Sequence, residues 1–303
     1  MQILVRPEGM LVADAALFDL AQTLDCGQCF RFSFDGVRWR GVAGDRPVAL
    51  RDTAEGVLFE GVSPEEFNGF WKRYFDLERD YEAIRKGYLT VPGLGECARF
   101  APGIRVLRQE PWEALASFIL SQNNNVPRIK GIVARLCRLA GEPCAQDPGE
   151  PDGLVHAFPS PAALARLSED DLAPLRAGWR SAYLLDAAQR VSDGRIDLTA
   201  IEAMPLPEAR RALQEIRGVG PKVAECTLLY GMGRMDAFPL DVWMKRAMRA
   251  LFPGMTPEDF GDTAGIAQQY IFHYCRRHPH LIREQDRAAA QGTIHKNLQR
   301  VPG

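Results

Sequence analysis

The spacing of apolar residues changes character once along the chain, near residue 105. Before that point the apolar runs are short, at residues 3–5, 30–34, 37–42, 47–50 and 57–62, and most breaks between them carry Gly or Asp. Such runs predict strands, and the Asp35-Gly36 pair predicts a tight turn, so the pattern is that of an antiparallel meander. Two helices are expected in the same region. Residues 13–24 place apolar side chains on one helical face. Ser63-Pro64-Glu65-Glu66 is a capping-box sequence with Pro at the first helical position, opening a helix toward Phe75. From Pro111 onward the period is helical almost throughout, with candidate helices at 112–121, 126–140, 161–166, 170–175, 180–192, 207–216, 221–230, 242–251 and 263–276. The Pro-, Gly- and Asp-rich stretch 141–153 reads as a surface loop. No repeat or low-complexity tract interrupts the order. The expectation is an α+β protein, with a mixed sheet domain over residues 1–105 and an α-helical body over 106–303.

Composition changes this picture little. The chain has 303 residues, 46% hydrophobic and 25% charged, which suits an ordinary soluble protein with two or three real cores. The net charge of −2 does not advertise a nucleic-acid partner, but the balance is local. Between Glu208 and Arg249 eight basic residues face five acidic ones, a net +3 that suits transient contact with a phosphate backbone. Seven cysteines, an odd number with no secretory signal, are expected as free thiols in an intracellular protein. Cys26 and Cys29 form a lone Cys-x-x-Cys with no second pair and no matching histidines, so no metal site is expected. Asp14 and Asp19 break the N-terminal apolar stretch, which therefore reads as neither a signal peptide nor a membrane span.

Candidate chemistry concentrates at Leu213-Gln-Glu-Ile216-Arg-Gly218-Val-Gly220-Pro221-Lys222-Val-Ala224. The stretch reads as a short helix, a two-glycine hairpin over about 206–232 with its flanks, and a second helix starting at Pro221, where the missing N–H costs nothing. Gly218 and Gly220 allow a tight turn and leave N–H groups bare for a phosphate oxygen. Lys222 falls in the first turn, where the positive helix end disfavours an added cation, and a neutral amine beside bound DNA is a nucleophile for a sugar carbon. Similar hairpins also occur in proteins that only hold DNA. The segment Phe238-Pro239-Leu240-Asp241 adds a carboxylate nineteen positions after the lysine. Asp241 would cap the following helix, and from that fixed place could also stabilise positive charge on a deoxyribose ring.

Lysine, proline-containing loop and aspartate together form the pattern of the helix–hairpin–helix DNA glycosylases, here with Phe-Pro-Leu-Asp in place of Gly-Pro-Asp. With the sheet-then-helices layout, the chain resembles the 8-oxoguanine DNA glycosylase/AP lyase family from about residue 20 to about residue 275. The resemblance implies a TBP-like antiparallel-sheet domain before the glycosylase body. It is most specific at Ser121-Gln-Asn123-Asn124-Asn125-Val-Pro-Arg128. It implies that Asn123 fills the space left by an extruded base, and that Arg128 and Arg180 read the orphaned cytosine through paired guanidinium donors. In Ala177-Gly178-Trp179-Arg180, Trp179 stands where the family carries an aromatic wedge, although a tryptophan packed on the next helix explains it as well.

Three separated places suggest the base pocket. Asp25-Cys26-Gly27-Gln28-Cys29-Phe30-Arg31 resembles the family's Gly-Gln-x-Phe-Arg segment, which implies that the Gly27 carbonyl accepts the N7 proton that 8-oxoguanine has and guanine lacks. Ala264-Gly265-Ile-Ala267-Gln268-Gln-Tyr-Ile-Phe272 implies that Gln268 meets the pairing edge and Phe272 one face of the base, with Cys226 on the other face. An ordinary loop glycine and an apolar helix stripe are the plain alternatives for Gly27, and for Phe272 and Cys226. Trp243 departs from the family, where a histidine near a phosphate is usual.

The implied activity is excision of 8-oxoguanine from duplex DNA, opposite cytosine, followed by β-elimination through a Lys222 Schiff base. No cofactor is implied, beyond a monovalent cation held by hairpin carbonyls. The implied partner is double-stranded DNA containing oxidised guanine, bound by a monomer with no membrane association. A monofunctional glycosylase for alkylated bases would share the layout but generally lacks the hairpin lysine. A damage-binding scaffold would explain the hairpin but not the triple asparagine, paired arginines and aspartate together.

Overall fold

The computed structural model describes residues 1–14, 16–146 and 154–282. Strands β1 (Gln2–Arg6), β2 (Gly9–Ala13), β3 (Phe32–Phe34), β4 (Trp39–Ala43), β5 (Arg46–Thr53) and β6 (Gly56–Glu60) form one antiparallel sheet in the order β1-β2-β6-β5-β4-β3. Alternation along the strands turns Met10, Val12, Phe32, Leu50 and Phe59 onto one face. That face is covered by a helical run, Pro64–Glu66, a π-turn Phe67–Trp71, then Lys72–Tyr74. Phe59 meets Phe67 and Phe75 edge-on, with ring centroids 5.0 and 5.4 Å away. The π-turn aims Phe67, Trp71 and Phe75 at the sheet together, and all three are fully buried.

The second body is helical, and its helices at Pro111–Ser121, Val126–Ala140, Arg180–Ser192, Leu206–Gln214, Pro221–Tyr230, Val242–Leu251 and Ala264–Arg277 lie close to the predicted ranges. Its core is built from their apolar stripes, with Pro111–Ser121 packed against Pro221–Tyr230 at the centre. Residues 104–107 cross between the two cores: Ile104 and Val106 face the helices, Leu107 the sheet. Gln28 is the brace of that junction. Its Nε2 donates to the carbonyls of Thr23 (2.8 Å) and Arg105 (2.7 Å), its Oε1 accepts from Leu107 N–H, and its own carbonyl accepts from Gln109 Nε2. No helix among the described residues is long and apolar enough to cross a membrane.

Several expectations are corrected. The helix expected over 13–24 is only Leu20–Leu24; Ala13 ends strand β2 opposite Gly56, and Asp14 takes a left-handed φ of 53°. Asp19 caps the short helix through Gln22 N–H at 2.7 Å. The Ser63 hydroxyl caps as expected by accepting from Glu66 N–H, but the Glu66 carboxylate accepts from Trp71 Nε1 at 2.8 Å instead of reaching back. The helix at 170–175 shrinks to the 3-10 turn Ala173–Leu175. The expected loop begins and ends in a small hairpin, β7 (Pro143–Gln146) with β8 (Leu154–His156); residues 147–153 of that loop lie outside the described residues. Helices Tyr81–Tyr88 and Leu94–Phe100 were not among the predicted elements.

Candidate active site

The Pro221–Tyr230 helix opens at Gly220, and Val219 N–H donates to Ile216 C=O at 3.0 Å across the turn. The two hairpin glycines differ. Gly218 has a φ of +81°, and a Cβ there would sit 2.1 Å from the Tyr183 ring, so only glycine fits. Gly220 has a φ of −91° and open space around it; its lack of a side chain leaves the backbone approachable rather than making the turn possible. Asp186 fixes the hairpin from below by accepting from Arg217 N–H (2.9 Å) and Arg190 Nε (2.9 Å).

Lys222, half-buried in the first turn, donates from Nζ to Ser121 Oγ at 3.1 Å and lies 4.8 Å from the centre of the Phe118 ring. Ser121 in turn donates to Phe118 C=O at 2.8 Å, so its remaining capacity is that of an acceptor facing the amine. Phe118 stacks on Tyr230 at 5.3 Å and meets Phe30 edge-on at 5.6 Å, a ladder of rings beneath the lysine. Asp241 caps the Val242–Leu251 helix, its carboxylate accepting from Met244 N–H at 2.7 Å. Glu225 links the two helices: one oxygen accepts from Phe238 N–H (2.7 Å) in the loop leading to Asp241, the other pairs with Arg210. Cys226 is buried, and burial pushes its thiol up to about 11, with Lys222 acting against the rise and Asp241 adding to it.

The remaining pocket candidates meet at the same place. Gln268 is buried, with Nε2 donating to Pro239 C=O (3.3 Å) and Oε1 accepting from Tyr230 OH (3.4 Å). Tyr230 OH also donates to Gln269 Oε1 (2.6 Å), and Gln269 Nε2 donates to Cys26 C=O (3.3 Å), which ties the 25–31 segment to the Ala264–Arg277 helix. Gly27 has a φ of +86°, and a Cβ there would lie 3.7 Å from the Phe272 ring and 3.6 Å from Arg276 Nη1. Gly27 thus lies beside Phe272, Gln268 reaches the ring ladder under Lys222 through Tyr230 and the loop before Asp241 through Pro239, and Cys226 stands one helical turn after Lys222. Cys26 and Cys29 are buried, and burial raises both thiols. Among the described residues no three His, Cys, Asp or Glu side chains are grouped to hold a metal.

A second cluster forms where the Pro111–Ser121 helix ends and the Arg180–Ser192 helix begins. Asn123 is exposed with a left-handed φ of 47°, and Asn125 caps the Val126–Ala140 helix through Arg128 N–H. The buried Arg180 donates to the carbonyls of Gln122 (2.7 Å), Asn123 (2.9 Å) and Ala177 (3.0 Å). Arg128 is exposed, with one bond to Arg176 C=O at 3.3 Å. Trp179 is 49% exposed, under the Arg180 guanidinium at 4.4 Å and edge-on to Tyr183 at 5.2 Å, so half of it packs on the next helix and half is presented outward. Sequence reasoning assigned no role to Phe118, Ser121, Glu225, Tyr230 or Gln269. Glu225 left one signal, a carboxylate in an otherwise apolar helix stripe.

A lysine and an aspartate at the mouths of adjacent helices, beside a hairpin with bare backbone and an asparagine-rich loop, define a helix–hairpin–helix base-excision protein. Residues 10–115 match the 8-oxoguanine DNA glycosylase N-terminal domain, and residues 116–260 match the HhH-GPD superfamily of base excision DNA repair proteins. A probable N-glycosylase/DNA lyase of Methanothermobacter thermautotrophicus is 31% identical over 86% of this chain and 94% of its own length. An N-glycosylase/DNA lyase of Arabidopsis thaliana is 31% identical over 84% of this chain and 76% of its own. The 8-oxoguanine glycosylase/lyase of Clostridium acetobutylicum, solved with double-stranded DNA containing cytosine opposite 8-oxoguanine, superposes with a TM-score of 0.85, 34% identity and coverage of 92% of this chain and 99% of its own. The chain belongs to the 8-oxoguanine DNA glycosylase/lyase family.

Proposed function

We propose that this protein excises 8-oxoguanine from duplex DNA, opposite cytosine, and nicks the abasic site it makes. The observation that carries the reading is the placement of Lys222 and Asp241 at two helix mouths, the amine seated on Ser121 and the Phe118 ring and the carboxylate fixed by its cap bond. The Lys222 nitrogen attacks C1′ of the everted nucleotide through its lone pair. A C1′–Nζ bond forms as the glycosidic bond breaks, and the base leaves with that electron pair and takes up a proton. Asp241, held by its cap bond, stabilises the positive charge that develops on the sugar. Ring opening gives the Schiff base, from which loss of a C2′ proton expels the 3′ phosphate.

Cys226 and Phe272 sandwich the base, Gln268 meets its pairing edge, and the Gly27 carbonyl accepts the N7 proton. That last bond is one guanine cannot make. Asn123 fills the vacated space, Trp179 wedges the stack, Arg180 and Arg128 read the cytosine, and the N–H groups around Gly218 and Gly220 hold the backbone phosphate. A monovalent cation held by hairpin carbonyls such as that of Ile216, which keeps a lone pair beyond its bond to Val219, would add positive charge beside that phosphate. The protein acts as a monomer.

Borohydride trapping tests the reading. Wild type should crosslink to DNA carrying 8-oxoguanine opposite cytosine, and Lys222→Gln should not. Crosslinking by that variant would remove Lys222 from its role, and release of 3-methyladenine without strand cleavage would favour a monofunctional enzyme.

A further inference from the structure

Residues 121–123 belong to both clusters. Ser121 holds the Lys222 amine at 3.1 Å, while the two residues that follow offer their carbonyls to Arg180 at 2.7 and 2.9 Å. Ser121 is itself buried and donates its proton to Phe118 C=O, so its oxygen has one orientation toward the lysine. The three bonds made by Arg180 leave one N–H on each terminal nitrogen, a pair suited to the two acceptors on the cytosine edge. A guanidinium is rigid and planar, so capture of a base by that pair fixes the plane, and with it the carbonyls of Gln122 and Asn123.

We propose that Ser121 is a positioning residue for Lys222, and that residues 121–123 relay the identity of the base opposite the lesion from Arg180 to the nucleophile. With cytosine held, the segment is pinned at both ends and the amine is delivered in one place. With adenine, which offers no matching acceptor pair, Arg180 is not fixed and Ser121 holds the amine less well. Discrimination then appears in the covalent step itself, separately from the base pocket.

The proposal rests on Lys222 as nucleophile and Arg180 as reader, and its test bypasses the damaged base. Full-length protein is given duplex DNA with a preformed abasic site opposite cytosine or adenine. The amine condenses with the C1′ aldehyde, losing water, and borohydride reduces the imine to a stable crosslink. Trapping rates are measured at saturating protein. Wild type should trap the cytosine duplex about tenfold faster than the adenine duplex, the size expected for one lost bidentate contact. Ser121→Ala should narrow the ratio to within about threefold, and Ser121→Thr, which keeps the hydroxyl, should preserve it. Should Ser121→Ala fail to fold by circular dichroism, Ser121→Cys, with its weaker acceptor, takes its place with the same expected narrowing. Equal slowing on both duplexes would make Ser121 merely structural and overturn the relay, as would a wild-type ratio of one. Absence of any wild-type crosslink would instead defeat the reading of Lys222.

Discussion

The residues around Lys222 and those around Arg180 are supported by the same helices but held by different kinds of contact. On the lysine side, position is set by elements that end there. Asp241 is fixed by its own cap bond, Lys222 by the first turn after the hairpin, and Gln268 and Gln269 by hydroxyl and carbonyl partners in the core. On the arginine side, position is set by one guanidinium bonded to loop carbonyls, and the groups at its rim, Asn123, Arg128 and Trp179, are exposed. The first arrangement suits chemistry, which loses heavily from small misplacements. The second suits recognition of a surface that arrives from outside, where groups must meet a partner rather than one another. The comparison teaches that helix caps build the half proposed to react, and loop carbonyls the half proposed to read the opposite base.

The largest effect should come from cutting the strut between the two catalytic helices. Glu225→Ala leaves Phe238 N–H buried without its acceptor and Arg210 without its carboxylate. Removing one partner of a buried ion pair costs about 3–5 kcal/mol; Arg210 is a third exposed, so about 2–3 kcal/mol is expected here. Because the loop leading to Asp241 is released, single-turnover excision should fall more steeply than DNA affinity. Denaturant midpoints and burst rates together check this; unchanged excision at reduced stability would show that the Asp241 loop is held without Glu225.

The next pair of variants separates folding from contact within one hairpin. Gly218→Ala forces a methyl against Tyr183 and a left-handed φ on alanine, a loss of about 2–3 kcal/mol in stability. Gly220→Ala meets nothing and should change stability by less than about 0.5 kcal/mol. It should nevertheless weaken binding to undamaged duplex, because the added methyl would stand where the proposed phosphate contact is made. Equal melting temperatures for the two variants would remove the distinction between the glycines.

Much of this was legible in the sequence, and the reason lies in range. The hairpin, the Asp241 cap and the Asn125 cap are interactions within four residues, and each is written in local residue types. Strand β2 was hidden because its own apolar residues run on into a helical-looking pattern, and one of its two partners, Gly56–Glu60, lies more than forty residues away from it in the chain. The Tyr81–Tyr88 helix buries only two aromatic residues outright, and over eight mostly polar residues its apolar face is too short to stand out. Ser121 and Gln269 reach partners 101 and 243 residues distant, and nothing in their neighbourhoods announces which acceptor or donor will arrive. The DNA-binding roles proposed for Asn123, Arg128 and Trp179 come from the family pattern, since an exposed Asn, Arg or Trp has no fold-level signature of its own.

Trp179 gives the smallest effect on the fold and the sharpest view of the reading half. Its ring contributes an edge contact to Tyr183 and a cation–π contact to Arg180, each at a half-exposed site, so Trp179→Ala should cost about 0.5–1 kcal/mol in stability. If the exposed half is a wedge, the same change removes the side chain that compensates lost stacking when a nucleotide leaves the duplex. Excision from intact duplex should then slow about tenfold, the equivalent of one weak stacking contact, while trapping on a preformed abasic site opposite cytosine changes by less than about twofold. Parallel losses on both substrates would instead mean that Trp179 acts by steadying Arg180, and would join the wedge and the reader into one unit. Comparison with Trp179→Phe decides between these, because phenylalanine retains a flat ring for insertion but gives up much of the indole surface under the guanidinium.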